Sequence, residues 1–260
     1  MKQERSFPRF TVTKKAQLSL EKGHPWVYDA EITDRSEEQV ENGSLVDVVS
    51  DKNRFLGTGI YSEKSKIRIR LISRNANDRF DEAFWERRIK YAWEYRKTVM
   101  GSDISACRII FGEADQFPGL TVDRFSDIIV TQTLSVGMEK IKPMLFPLIY
   151  KVLTEDGQSI KGIYERNDVA IRQLEGLEQN KGWFSLDGVP VPESTVTVIE
   201  ENGIRYEVDV ENGQKTGFFL DQKYNRLAVA RLARGKRVLD CFTHTGSFAL
   251  NAAMGGAEHV

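Results

Sequence analysis

Residues 238–253, VLDCFTHTGSFALNAA, decide the fold. Arg237–Phe242 is an apolar run of strand length, Thr243–Gly246 is rich in turn formers, and Ser247–Met254 has helical apolar spacing. A strand, a tight turn and a helix in succession form the opening unit of an open α/β sheet, where ligands bind beyond the carboxyl ends of the strands. A helix start presents free N–H groups and a positive dipole end to a carboxylate or phosphate. Gly246 lets the backbone approach such a ligand, and Asp240 is placed to accept a hydrogen bond from a ligand amine. An ordinary βα turn, with Asp240 tying down its own loop, accounts for the same residues, and one glycine is weaker than G-x-G-x-x-G.

Working backwards, residues 213–226 read GQKTGFFLDQKYNR. Asp221 is expected to cap a helix reaching about Ala233. A cap does not explain why Lys, Thr, Gln, Asn and Arg crowd around Phe218 and Phe219, and an aromatic wall with polar donors suits a nucleoside-type pocket. Upstream, Thr195–Glu200 and Ile204–Val210 flank Glu201-Asn202-Gly203 as a hairpin.

The first 192 residues divide in two. Between Phe10 and Ser73, short strands such as Ser44–Val49, Phe55–Tyr61 and Lys66–Leu71 alternate with turns, the pattern of a compact β-barrel. From Asp81 onward a capped helix, the strands Cys107–Phe111, Leu120–Asp123 and Asp127–Thr133, a helix near Met138–Leu153 and a strand near Gly162–Glu165 predict an α/β layer. In the strand Lys66–Leu71 the cations Lys66, Arg68 and Arg70 share one face. With Lys64 and Arg74 they form a basic stripe that is either a solvated outer face or a track for phosphates. Most of the cations on the helix Phe84–Val99 are read as solvated, and residues 111–125 as a turn. His24-Pro25-Trp26 reads as a corner with Trp26 packed on the barrel.

The balance of 37 Lys and Arg against 38 Asp and Glu gives a net charge of −1, so a nucleic-acid partner must be met by a local patch. No run of 18 apolar residues or secretory leader is present, which predicts no membrane partner and a cytoplasmic protein. Cys107 and Cys241 lie far apart without metal-ligand spacing, so neither a disulfide nor a metal site is expected.

Together, GQKTGFFLDQKYNR and VLDCFTHTGSFALNAA resemble the signature of class I S-adenosylmethionine-dependent RNA methyltransferases, and more narrowly the bacterial 23S rRNA large-subunit enzymes that make 5-methylcytosine. Leu20–Tyr28 and Gly57–Tyr61 resemble the PUA domain that opens these enzymes, and Phe111–Phe125 their central domain. The resemblance implies a PUA-like RNA-binding barrel at residues 1–75, a central α/β (α+β) domain at 76–192, and the start of a Rossmann-like methyltransferase domain at 193–260. It implies S-adenosyl-L-methionine as cofactor, with Asp240, Phe242 and Gly246 at its methionine end and Lys215, Thr216 and Phe219 against it. It implies 23S ribosomal RNA as partner, met by Lys64, Lys66, Arg68 and Arg70. A homodimer is an expectation of the resemblance alone. Two rival readings stand beside it: a ribosomal guanine-nitrogen methyltransferase, which needs no cysteine nucleophile, and a non-catalytic RNA-binding module.

The chain departs from the family's pattern in length. A doubly wound sheet needs several strands after Val238, and the ribose-binding acid, the Pro-Pro loop and the catalytic cysteines of the family have no counterpart here. The expectation is a C-terminally truncated chain, inactive alone, binding cofactor weakly or not at all, with catalytic residues beyond Val260. Methylation at cytosine carbon 5 requires a thiolate adding at carbon 6. Cys241, alternating away from Asp240, is expected to pack, as is Cys107. His244 is read as a loop filler.

Overall fold

The computed structural model describes residues 6–260. The N-terminal unit comprises β1 (Arg9–Val12), α1 (Lys14–Glu21), β2 (Trp26–Tyr28), β3 (Ile32–Arg35), β4 (Leu45–Val49), β5 (Phe55–Tyr61) and β6 (Ile67–Ser73). They form one sheet in the order β2-β6-β5-β4-β1-β3. Phe10, Val12, Val46, Val48, Ile69 and Leu71 alternate into its core, which Ala16 and Leu20 of α1 complete. The expected compact β-barrel is met in part, by one bent six-stranded sheet that is not clearly closed. Register shifts in four of its strand pairs bend the sheet, but the edge strands β2 and β3 are only three and four residues long and do not pair with each other.

The central unit opens with α2 (Glu82–Met100), whose N-cap Asp81 accepts the Phe84 amide. It continues through β7 (Ala106–Phe111), β8 (Leu120–Phe125), β9 (Ile128–Thr133), α3 (Val136–Glu155), β10 (Gly162–Arg166) and β11 (Lys181–Phe184). The mixed sheet runs β11-β10-β9-β8-β7, with β9 and β10 parallel across α3 and the other pairs antiparallel. Trp85, Ile89 and Trp93 of α2 and Phe146 and Ile149 of α3 cover one face. On the other face the hairpin β12 (Val196–Glu201) and β13 (Ile204–Asp209) packs Ile199, Tyr206 and Val208 on Phe125, Ile128 and Val130. Two covered faces explain why Ile128, Ile129 and Val130 follow one another as apolar residues in β9.

The two units are joined by buried polar contacts. Glu175 accepts from Ser62 Oγ at 2.8 Å and pairs with Arg70 at 2.8 Å, and the Trp26 indole N–H donates to Glu113 at 2.8 Å. Trp26 is therefore a strut to the central unit as well as part of the N-terminal corner. A Cβ at Gly137, at the start of α3, would lie 2.1 Å from Ile60 Cγ2, so a larger residue there forces the units apart.

The chain ends in α4 (Lys223–Ala233) and α5 (Ser247–Met254). Two expectations fail here. Asp221 does not cap α4: it lies in a 3₁₀ turn, 220–222, and Gln222 is the N-cap. The strand predicted at Arg237–Phe242 shrinks to one parallel bridge, Arg237 to His259. No other segment of the described residues lies alongside it, and a strand without a ladder has nothing to satisfy its backbone but water.

Candidate functional site

The site is built from two loops. The first, 213–219, is tightly wound. The Gly213 amide donates to Asp209 O at 2.8 Å, and the Gly217 amide to Gln214 O at 2.9 Å. A Cβ on Gly213 would meet Gly217 O at 2.4 Å, so no side chain fits. Arg166 clamps the loop from outside, donating to Val210 O at 2.7 Å and Gly213 O at 2.9 Å. Thr216 is buried and donates to Asp123 Oδ2 at 2.6 Å, a carboxylate that also takes both arms of Arg108. Of the residues predicted to meet a ligand, Thr216 is thus turned inward and anchors the loop to β8. Lys215 and Phe219 face outward, the ammonium 4.5 Å from the ring centroid.

The second loop, 240–246, leads into α5. Phe242, His244 and Gly246 all have positive φ, at 62°, 51° and 70°. Such conformations are strained for Phe and His and natural for Gly. Asp240 Oδ2 accepts the Ala249 amide at 3.1 Å, so the carboxylate satisfies a free donor in the first turn of α5 and holds the turn closed. Tying down the loop is therefore part of its role, and its second oxygen remains for a ligand. Gly246 is the N-cap and makes no side-chain cap, which leaves the helix start open.

Between the loops lies a cleft of about 650 Å³, lined by Lys215, Phe218, Phe219, Asp221, Asp240, Phe242 and His244, among others. The Phe219 and His244 rings meet edge to face at 5.4 Å, so the two motifs touch directly. Phe242 stands fully exposed at the rim. His244 is thus more than filler: its ring closes one wall. Burial alone would raise the Asp221 carboxyl, but the Lys215 charge and hydrogen bonds from Gln222 and Lys215 outweigh it and hold it below its usual range. An aromatic wall, a carboxylate and an open helix start fit a ligand with an aromatic ring at one end and an amino-acid group at the other.

The floor contains a residue whose role was not read from the sequence. Arg226 is fully buried, pairs with Glu201 at 2.6 and 2.8 Å, and donates to Phe219 O at 2.8 Å. Its guanidinium lies 4.7 Å from the Phe218 ring centroid. Asn251 of α5 adds bonds to Tyr206 Oη and, from Asn202, to its own Oδ1. The only sequence signal was the arginine ending the motif at 226, since its partner Glu201 lies 25 residues away.

Cys241 also departs from expectation. It is exposed and lines the cleft, because residues 237–242 form no ladder to alternate on. Cys107 is buried as expected, and burial pushes its thiol up to about 11. The alternation of β6 is as expected, with Ile69 and Leu71 in the core, but its stripe is partly neutralised. Arg68 pairs with Asp29 at 2.9 Å and Arg70 with Glu175 at 2.8 Å, which leaves Lys64 and Lys66 exposed.

Residues 10–74 match the model of the PUA-like domain, and residues 179–260 that of the S-adenosylmethionine-dependent methyltransferase. The chain is 36% identical over 255 residues, 98% of its length, to ribosomal RNA large subunit methyltransferase I of Klebsiella pneumoniae subsp. pneumoniae. It is 36% identical over 253 residues, 97% of its length, to the protein of that name in Escherichia coli O139:H28. It spans 61% of the length of both relatives. A structure from Streptococcus mutans assigned to the SAM-dependent methyltransferases superposes with a TM-score of 0.75 at 25% identity, over 96% of this chain and 61% of that one. Another methyltransferase structure, complexed with SAH, has a TM-score of 0.76 at 25% identity, over 96% of this chain and 60% of that one. No helix among the described residues is long and apolar enough to cross a membrane.

Proposed function

We propose that this chain carries the cofactor-binding loops of a methyltransferase that moves a methyl group from S-adenosyl-L-methionine to a base of ribosomal RNA, carbon 5 of a cytosine in 23S rRNA. The observation that carries the reading is the meeting of the two motifs in one cleft, with Phe219 edge-on to His244 at 5.4 Å. Bound there, the cofactor supplies an electrophilic methyl group. Asp240 holds the amino group of its methionine end while Ala249 N–H fixes the carboxylate's orientation. The open start of α5, reached through Gly246, takes its carboxylate. Phe242 lines the methionine end, Phe219 lies against the cofactor, Lys215 closes over Phe219, and Thr216 acts from behind by pinning the loop to Asp123. The domain division is 1–75, 76–192 and 193–260, the last resting its hairpin on the central sheet. Lys64 and Lys66 contact RNA, with Arg68 and Arg70 holding the strand between them.

Carbon-5 transfer needs a thiolate. The Cys107 thiol is buried and stays protonated at neutral pH, and Cys241 sits at the cofactor side of the cleft, so neither is assigned that role. Titration of S-adenosylhomocysteine followed by amide NMR is expected to move resonances in 214–222 and 240–248, and Asp240→Ala or Phe219→Ala to abolish the shifts. No shift in either stretch at millimolar ligand removes the reading.

A further inference from the structure

A second cleft, of about 670 Å³, runs between the end of β6 and the start of α2, and adjoins a pocket of about 350 Å³ on α2. Arg88 lines both. It is half-buried, yet no carboxylate lies within ion-pair distance among the described residues. Its contacts are Gln116 O at 3.1 Å and the Phe84 ring at 4.3 Å. Burial pushes its guanidinium down to about 10, still charged at neutral pH. Arg74 and Arg87 stand exposed at the rim, one bonded to His24 O at 3.0 Å and the other 5.6 Å from the Phe84 ring centroid.

The acids in these walls are already engaged. Asp78 accepts from Ser73 at 2.5 Å and Asn75 at 3.1 Å, Glu113 from Trp26 at 2.8 Å, and Asp115 from both arms of Arg96 at 3.0 and 2.6 Å. Among the described residues Arg74, Arg87 and Arg88 thus face one concavity without an ion-pair partner, and of its acids the charge of Asp78, bonded to Ser73 and Asn75, acts on Arg88. Tyr91, 65% exposed, lines the α2 pocket, and Tyr95, 58% exposed, lies one helical turn farther on the same face. Cations beside exposed aromatic faces are the features that hold a single strand of nucleic acid, whereas an acidic peptide has no use for the rings.

Resting on the ribosomal-RNA reading above, we propose that this inter-unit cleft is a groove for a single-stranded segment of the RNA substrate, with Arg74, Arg87 and Arg88 on backbone phosphates and Tyr91 stacked on a base. The groove shares Arg74 with the β6 stripe but differs from it in chemistry. Cations of the stripe meet phosphates on an open face, whereas Arg88 waits partly desolvated for an anion. The helix predicted to carry a solvated cationic face therefore has a functional side.

The test is fluorescence anisotropy of the purified chain with a labelled single-stranded oligoribonucleotide across a salt series. Replacing all three arginines (Arg74→Ala, Arg87→Ala, Arg88→Gln) is expected to weaken binding about tenfold or more, and to lower the slope of log K against log salt by about 2, at roughly 0.7 per phosphate contact. Tyr91→Ala is expected to weaken binding about fivefold or more and leave the slope unchanged. If these variants bind within twofold of wild type while Lys64→Ala/Lys66→Ala does not, the groove is wrong and the RNA reading stands. If the wild type binds no RNA, both fall. Because Arg88 also braces Gln116, the exposed pair Arg74→Ala/Arg87→Ala is measured alone. A loss seen only with Arg88→Gln, together with a lowered Tm, overturns the proposal. So does displacement of the oligonucleotide by inorganic phosphate as efficient as by unlabelled RNA, since the cleft is then a small-anion site.

Discussion

β9 and residues 237–242 are both short apolar runs that lead towards a helix, and they have opposite fates. β9 lies between β8 and β10, with α3 on one face and the β12–β13 hairpin on the other, and Ile128, Ile129 and Val130 are fully buried. Residues 237–242 pair with one strand neighbour through one bridge, with Asp240 tied to the first turn of α5, and Leu239 and Phe242 are 86% and 103% exposed. The difference teaches that a strand's stability resides in the strands and helices beside it. The well-packed sheet supplies a rigid support, and the loosely held segment carries the positive-φ turns and exposed groups of the candidate cleft.

The contrast breaks most easily at the two cysteines, one in each region. At pH 7.5 a thiol reagent should modify Cys241 at least a hundredfold faster than Cys107, whose thiol, raised to about 11, yields almost no thiolate. Equal rates, followed by mass spectrometry, would mean that the central unit opens as readily as the tail. The next effect lies at the joint between regions. Glu201→Ala strands the buried charge of Arg226 and should cost about 3–5 kcal/mol in urea unfolding. Glu201→Leu combined with Arg226→Met should recover much of that loss, and a double variant as unstable as the single one argues against the ion pair as the cause. Phe146→Ala beneath the central sheet should likewise cost about 3–5 kcal/mol. Phe242→Ala should stay within about 0.5 kcal/mol, and a larger loss would show that the rim of the cleft is packed after all.

Much of the site was legible because its residues are local. Residues 213–226 and 238–253 are each continuous, and their polar and aromatic content marks a pocket. Asp81 as cap, the Asn202-Gly203 hairpin and the helix at Ser247–Met254 were equally readable, since caps, turns and helical spacing act within a few residues. Asp221 was misread as a cap because its real partner, Lys215, belongs to the folded loop before it.

By itself the sequence determined the β12–β13 hairpin, the helices α2 and α5 and the alternation of β6, because these follow from short-range periodicity and turn stereochemistry. Only the tertiary structure decided that Thr216 turns inward to Asp123, that Arg70 braces Glu175, that Arg226 holds the carbonyl of Phe219, and that Arg88 faces an inter-unit cleft. Each of these pairings joins residues far apart in the chain. Burial and charge select them after the backbone is in place, and no local pattern specifies which distant carboxylate or carbonyl a cation will meet.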